Sequence, residues 1–469
     1  MNEIPDLRSS RFVRFSRRLC SRKSLRRILI GLVAFITLIA LVYAEENWRG
    51  KRAWEQHKRK MADAGEEWDW SAFIPKPVPD GQNIFKAPHM AEWFLDQRAI
   101  FEAPLDHPIT NDFARRLINP KSTADITSIA EAESYLAWSD QFQADFDAIA
   151  AALKRPYARI VDDYSHGFVI QFPNNVTGRE VIRTLEQRAK CHLLLKQTDK
   201  AWQELAVMND MRRLVDGQGK FLTTEGDWMI QGIISHSLPV IARGIELHAW
   251  QEPQLVALQE RLRKSDIIAL RAHALRCGRA LLFSSVETGE LQRAQRMASG
   301  NGFWSAFKRH PEVLLFSLAP QGVLEQMFIC RSDDFQGMIN VFSPTNGIVR
   351  PGDVTRATAW WKRAQEGAPA VLRIQTLINQ AQIACALERY RLAGGEYPET
   401  LDGLSPAFIP QLPRDIINGA PVKYRRVKNG KFLLYSVGWN ETDDDGQDVS
   451  DPSRPESLKN GDWAWISRR

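Results

Sequence analysis

Between Asn440 and Glu456 the chain gathers Glu441, Asp443, Asp444, Asp445, Asp448, Asp451 and Glu456 with only Arg454 opposing them. Seven carboxylates in sixteen residues repel one another, and a hard cation taking roughly six to eight oxygen ligands would relieve the strain. Glu441, Asp443 and Asp445 ahead of Gly446 imitate the start of an EF-hand. The twelfth position of such a loop would be Pro452, which has no carboxylate, so an EF-hand is excluded. The sharpest chemistry the residues offer is therefore calcium held by Glu441, Asp443, Asp444, Asp445 and Asp448, with a solvated acidic turn as the alternative.

Catalytic patterns are scarce. The chain has no HisGluxxHis, no GlyxSerxGly, no GlyxxxxGlyLys phosphate loop and no paired CysxxCys. His236 and His248, twelve apart, read as partly buried side chains with hydrogen-bond partners rather than as ligands. Asp163, Ser165 and His166 carry triad residue types, but neighbours in sequence rarely form a triad. Cys191, Cys277 and Cys385 fall in helical patterns as small apolar residues; one or two disulfides are open, with connectivity unreadable.

The acidic loop closes a recognisable order of elements. A helix over 375–392 stops at Gly394-Gly395. A turn over 396–404 packs Tyr397, Leu401 and Leu404; a strand over 422–427 meets its partner over 431–437 through Asn429-Gly430, a strong hairpin signal. Residues 463–466 can return as a third strand. This order, with the text AlaLeuGluArgTyrArgLeuAlaGlyGlyGluTyrPro, ProArgAspIleIleAsnGlyAlaProValLysTyr and LeuTyrSerValGlyTrpAsn, resembles the globular head of the major pseudopilins of type II secretion over residues 372–466. The resemblance implies a helix against a small antiparallel sheet and calcium in the acidic loop. In pilin-like proteins an amino-terminal apolar helix leads directly into the head. Here about 330 residues intervene, and the prepilin-peptidase pattern is missing from 31–44. A borrowed head module on an exported bacterial protein is the expectation.

The amino-terminal end explains the word exported. Residues 1–27 hold nine basic against two acidic side chains, a charge of +7, which leaves −1 on the remainder of a chain whose total is +6. The pI near 9.0 belongs to this arm, so the main body is not read as a nucleic-acid binder. Residues 28–44 follow without a charge. Seventeen residues make about 25 Å of helix, close to the hydrocarbon thickness of a bilayer. The outer flank, residues 45–63, nets only +2, so the positive-inside rule puts the arm in the cytoplasm and the bulk outside. A signal peptide cut after Ala44, with Val42 and Ala44 as the small residues, is the alternative.

Stepping along the chain, 48–64 reads as a polar, solvated helix stopped by Gly65. Pro75, Pro77 and Pro79 favour an extended spacer, docked by Trp68, Trp70, Phe73, Trp93 and Phe94. Residues 128–153, 179–197, 225–250 (bent at Pro239), 252–263 and 265–286 read as helices, and 290–370 as irregular. The fold class is mainly α: an N-terminal transmembrane helix, a helical bundle or repeat-like body and a small C-terminal α+β domain. The expected divisions are a basic cytoplasmic arm (1–27), a transmembrane helix or signal anchor (28–44), a juxtamembrane helix and Pro/Trp-rich spacer (45–120), a helical body (121–370) and the pseudopilin-like domain (371–469). Composition at 44% hydrophobic and 25% charged excludes a disordered chain and a multi-pass membrane protein. The expectation for function is a single-pass inner-membrane protein of the bacterial envelope. It would act as a non-enzymatic, secretion-related scaffold or interaction module with an envelope protein partner. An exported hydrolase or carbohydrate-binding enzyme is the alternative.

Overall fold

The computed structural model describes residues 22–95, 111–123, 125–164, 173–215, 222, 224–289, 320–359, 362–427, 430–449 and 455–465. These form a mainly helical structure with one long apolar N-terminal helix and a small antiparallel sheet near the C-terminus. The chain divides into two units, residues 1–66 with 292–330 and residues 67–291 with 331–469.

In the first unit, α1 (Arg22–Asp63) runs unbroken for 42 residues. Its apolar stretch has a mean hydropathy of 2.4 and is not buried by protein at all; Leu29, Phe35 and Leu41 are about as exposed as solvent-facing lysines would be. Large apolar side chains so exposed along a whole turn-by-turn cylinder are suited to lipid. Beyond that stretch, the expected solvated helix is corrected on one face. Gly50, Trp54, His57 and Met61 are buried, and their spacing of three or four residues puts them on one stripe. At Gly50 the backbone is approached so closely by Gly322 that a Cβ on either would collide with the other helix. The Gly322 amide donates to Asn47 Oδ1 at 3.0 Å. Gly65, at φ 71°, closes α1 in the left-handed region.

The second unit begins with short turns and two short helices, α2 (Met90–Phe94) and α3 (Asp112–Leu117). As expected, Trp70, Phe73, Trp93 and Phe94 are buried. The spacer is fixed to the body by polar contacts too: Trp70 Nε1 donates to the Tyr164 carbonyl at 2.8 Å, and Asn83 Nδ2 to the Arg159 carbonyl at 2.9 Å. Then follow α4 (Ile129–Ser139), α5 (Gln143–Ala152), α6 (Asn175–Leu194), α7 (Thr198–Asp210), α8 (Thr224–Glu246), α9 (Glu252–Arg263) and α10 (Ile267–Glu287). Ser128 and Glu131 form a capping box that starts α4. Asn174 accepts from the Val176 and Thr177 amides and starts α6 four residues before the apolar periodicity does. The turn after α6 is made by Lys196 at φ 59°, so Thr198 opens the next helix instead of breaking the chain.

Residues 320–370 are not irregular. Among them lie α11 (Gln321–Val341), α12 (Pro351–Thr358) and the start of α13 (Lys362–Gly394); 290–319 lie outside the described residues. Pro351 sits in the first turn of α12, where a missing N–H costs nothing, and so begins a helix. Leu324, Phe335, Met338, Ile339 and Phe342 are buried.

At the C-terminal end β1 (Lys423–Val427), β2 (Lys431–Ser436) and β3 (Trp463–Ala464) form an antiparallel sheet in the order β1-β2-β3. Val427 pairs with Lys431 and Ser436 with Trp463. Gly430, at φ 67°, sits in the expected hairpin turn, while Asn429 lies outside the described residues. The sheet and the helical body share one hydrophobic core, running from Ile84 to Trp465. Helix α13 is its axis: no residue from Ala368 to Glu388 is exposed.

Trp250, 1% exposed, folds back over α8 and donates from Nε1 to the Ile241 carbonyl at 3.0 Å, lying flush on Gly244. An alanine in place of a helical glycine normally stabilises by up to about 1 kcal/mol. Here Gly244→Ala is expected to destabilise by about 2 kcal/mol instead, because its Cβ overlaps an immobilised indole. Denaturant unfolding of the two proteins decides the sign.

Candidate functional site

The acidic loop leaves β2 and returns to β3. Its carboxylates point to different partners. Asp443 accepts from the Tyr435 hydroxyl at 3.1 Å and pairs with Lys423 Nζ at 3.1 Å. The Lys423 ammonium, then the Asp445 amide, hold its carboxyl below the usual aspartate range. Asp445, at φ 62°, takes Arg425 at 2.9 Å. Asp448 takes Arg373 of α13 at 3.2 Å. Asp444 accepts the Asn440 amide at 2.9 Å. Glu441 stands exposed on a left-handed turn; Asp451 lies outside the described residues.

The residue that organises the loop is one the sequence reading passed over. Asp462 is fully buried. Its Oδ2 accepts from the Gly446 amide at 2.7 Å and the Asp444 amide at 3.0 Å, while its Oδ1 has no donor. Burial, with the nearby charges of Asp443 and Asp444, pushes its carboxyl up. The orphan oxygen is the one feature that suits a cation. Three of the five expected ligands are engaged by cations, Asp443 by Lys423, Asp445 by Arg425 and Asp448 by Arg373, whereas Glu441 and Asp444 have no cationic partner among the described residues. Among the described residues no three His, Cys, Asp or Glu side chains converge as metal ligands do. Cations from β1 and α13 offset part of the loop's negative charge.

A second polar cluster is set in the helical body. Gly178 of α6 meets Met229 of α8, and eight residues on, Glu186 of α6 meets His236 of α8. The pairs advance together, so the two helices run parallel. Between them is a cleft of about 240 Å³, lined by Arg179, Ile182, Trp228, Gly232, Ile233 and His236 among others. His236 Nδ1 lies 2.6 Å from Glu186 Oε2, and Lys190 pairs with the other oxygen. Burial works to raise the Glu186 carboxyl, but the hydrogen bond to His236 and the Lys190 charge outweigh it and hold it below the usual glutamate range. An ionised carboxylate only accepts, which assigns a proton to Nδ1 and leaves Nε2 at the cleft. None of the described residues lining the cleft is Ser, Thr or Cys.

The other histidine singled out is also braced. His248 Nδ1 lies 3.0 Å from Glu388 of α13, a fully buried carboxylate that also accepts from Arg391 and from the Tyr397 hydroxyl. Neither pairing had a sequence signal, since the partners are 50 and 140 residues apart. Ser165 and His166 lie outside the described residues. Cys191, Cys277, Cys330 and Cys385 are unpaired. Burial pushes the Cys191 and Cys277 thiols up to about 12, so both are inert at neutral pH.

Comparison with protein-family models, curated proteins and solved structures finds no match.

Two outcomes follow from these geometries. Millimolar calcium leaves the thermal midpoint unchanged; a rise of about 3 °C or more would show that the carboxylates exchange their cations for metal. Glu186→Ala costs about 2–3 kcal/mol at pH 7 by stripping His236 and Lys190 of a buried partner. Because the folded carboxyl is held low, its stabilisation is present above the unfolded glutamate range and fades as pH falls through the folded value. The gap between the two proteins therefore closes below about pH 4 in acid unfolding.

Proposed function

We propose that the protein is an exported, single-pass envelope scaffold, held in the inner membrane by α1 with its basic arm in the cytoplasm and its body outside. The observation that carries this reading is the exposed apolar stretch of α1, which none of the described residues covers. Orientation is drawn from charge: +7 before the stretch against +2 after it. The expected likeness of the C-terminal region to a pseudopilin head, and with it a role beside a secretion apparatus, belongs to this reading as a proposal drawn from the sequence text alone. The body supplies a surface for an envelope protein partner.

The hydrolase reading has one observation in its favour, the imidazole braced by a buried carboxylate at the rim of the α6/α8 cleft. Hydrolysis there would have to use water as the nucleophile, with the imidazole as its general base, since none of the described lining residues is Ser, Thr or Cys. The cleft is read as a binding feature of a scaffold.

An alkaline phosphatase fused after residue 469 is expected to be active, and the intact chain to stay in the pellet after carbonate extraction. Phosphatase inactivity would reverse the orientation. Release of a chain shortened by about 5 kDa would replace the anchor with a cleaved signal.

A further inference from the structure

We propose that the α6/α8 cleft binds a small ligand with a carboxylate at one end, an apolar, preferably aromatic body, and an N–H donor at the other end. Three observations meet there. At one end Arg179 spends only its Nε, on Glu180 at 3.0 Å; its terminal nitrogens make no hydrogen bond, and half of the side chain is open to solvent. They form the planar fork that suits a carboxylate. At the other end His236 presents Nε2, fixed in direction because Nδ1 is committed to Glu186; in the neutral imidazole this nitrogen accepts. Gly178 lies opposite Met229, so Arg179 is level with residue 230 and His236 is six residues further along. At 1.5 Å per residue the two polar ends are separated by about 9 Å along the helices. Between them the walls are Ile182 and Ile233, with the Trp228 side chain 42% exposed. The floor is Gly232, where a Cβ would meet nothing within 4 Å.

The volume is below the roughly 300–1,000 Å³ of sites for drug-sized ligands, so one ring and a short chain fill it. Two sources supply this chemistry: a free aromatic acid, and the carboxyl terminus of a polypeptide ending in an aromatic residue, whose backbone amide is the far donor.

The test is saturation-transfer NMR on the full chain in detergent micelles. The probes are indole-3-butyrate, its methyl ester, its N-methyl derivative, and a pentapeptide ending in phenylalanine with a free or an amidated carboxyl group. Indole-3-butyrate is expected to saturate with a Kd of about 1 mM, as its size allows. The ester and Arg179→Gln should each weaken it by about tenfold. The N-methyl derivative and His236→Phe should do so by several-fold. Gly232→Leu should abolish binding, since it fills the floor while raising helix propensity, and its helicity and melting temperature show that the fold is kept. Tighter binding by the free-carboxyl peptide identifies a polypeptide terminus as the occupant; tighter binding by indole-3-butyrate identifies a free acid. The proposal is overturned if neither binds saturably, if the ester binds as well as the acid, or if folded Gly232→Leu binds like the parent.

Discussion

Helix α13 must be covered on every face from Ala368 to Glu388, and that requirement shapes the whole second unit. A helix apolar all round has no solvent side to orient it, so its few polar side chains set its position. Gln375 accepts the first amide of α10 at 2.8 Å. Gln380 donates to the Trp463 carbonyl on β3 at 2.8 Å. Glu388 collects His248, Arg391 and Tyr397. A slip by one residue would leave each of these groups buried without its partner, at a cost of about 1–3 kcal/mol apiece. Body and sheet therefore meet in a single register around one axis, and the C-terminal strands complete the core of the helices.

The same economy governs the two polar sites. In the acidic loop, three carboxylates are paired with side chains fixed on neighbouring elements, with Asp462 gathering the turn from below through two backbone amides. In the α6/α8 cleft, charge is balanced on the buried side only. Glu186 is matched by Lys190 and His236, which leaves the outward nitrogen of the imidazole and the terminal nitrogens of Arg179 facing open space. One site keeps a single unsatisfied oxygen inside, on Asp462; the other is satisfied inside and unsatisfied outside.

Much of the helical order was legible from sequence, because apolar periodicity is a local property. Residues 252–263 fold as that pattern requires, and the 423–436 hairpin follows from a glycine-bearing turn between alternating strands. Legibility failed where a local signal has two physical meanings. Pro351 can stop a helix or begin one, and the deciding factor is whether Val354 finds a core. The four residues that bury one side of α1 beyond the apolar stretch were too sparse for a periodicity argument, and one is a glycine whose contribution is the absence of a side chain. Of the candidate site, the acidic cluster was visible as composition. The pairing of three of its carboxylates with Lys423, Arg425 and Arg373 was not, nor was the pairing of Glu186 with His236, since such contacts depend on how distant segments cross.

Helix α1 has a mechanical consequence. Its 42 residues carry no proline, and Gly31 and Gly50 do not interrupt it. About 28 Å of it continues past Ala44 at 1.5 Å per residue. Such a rod has no swivel. The stripe of Gly50, Trp54, His57 and Met61 keeps a fixed azimuth relative to the exposed apolar side chains of residues 28–44, so any neighbour gripping that apolar segment would also set the compass bearing of the stripe beyond it.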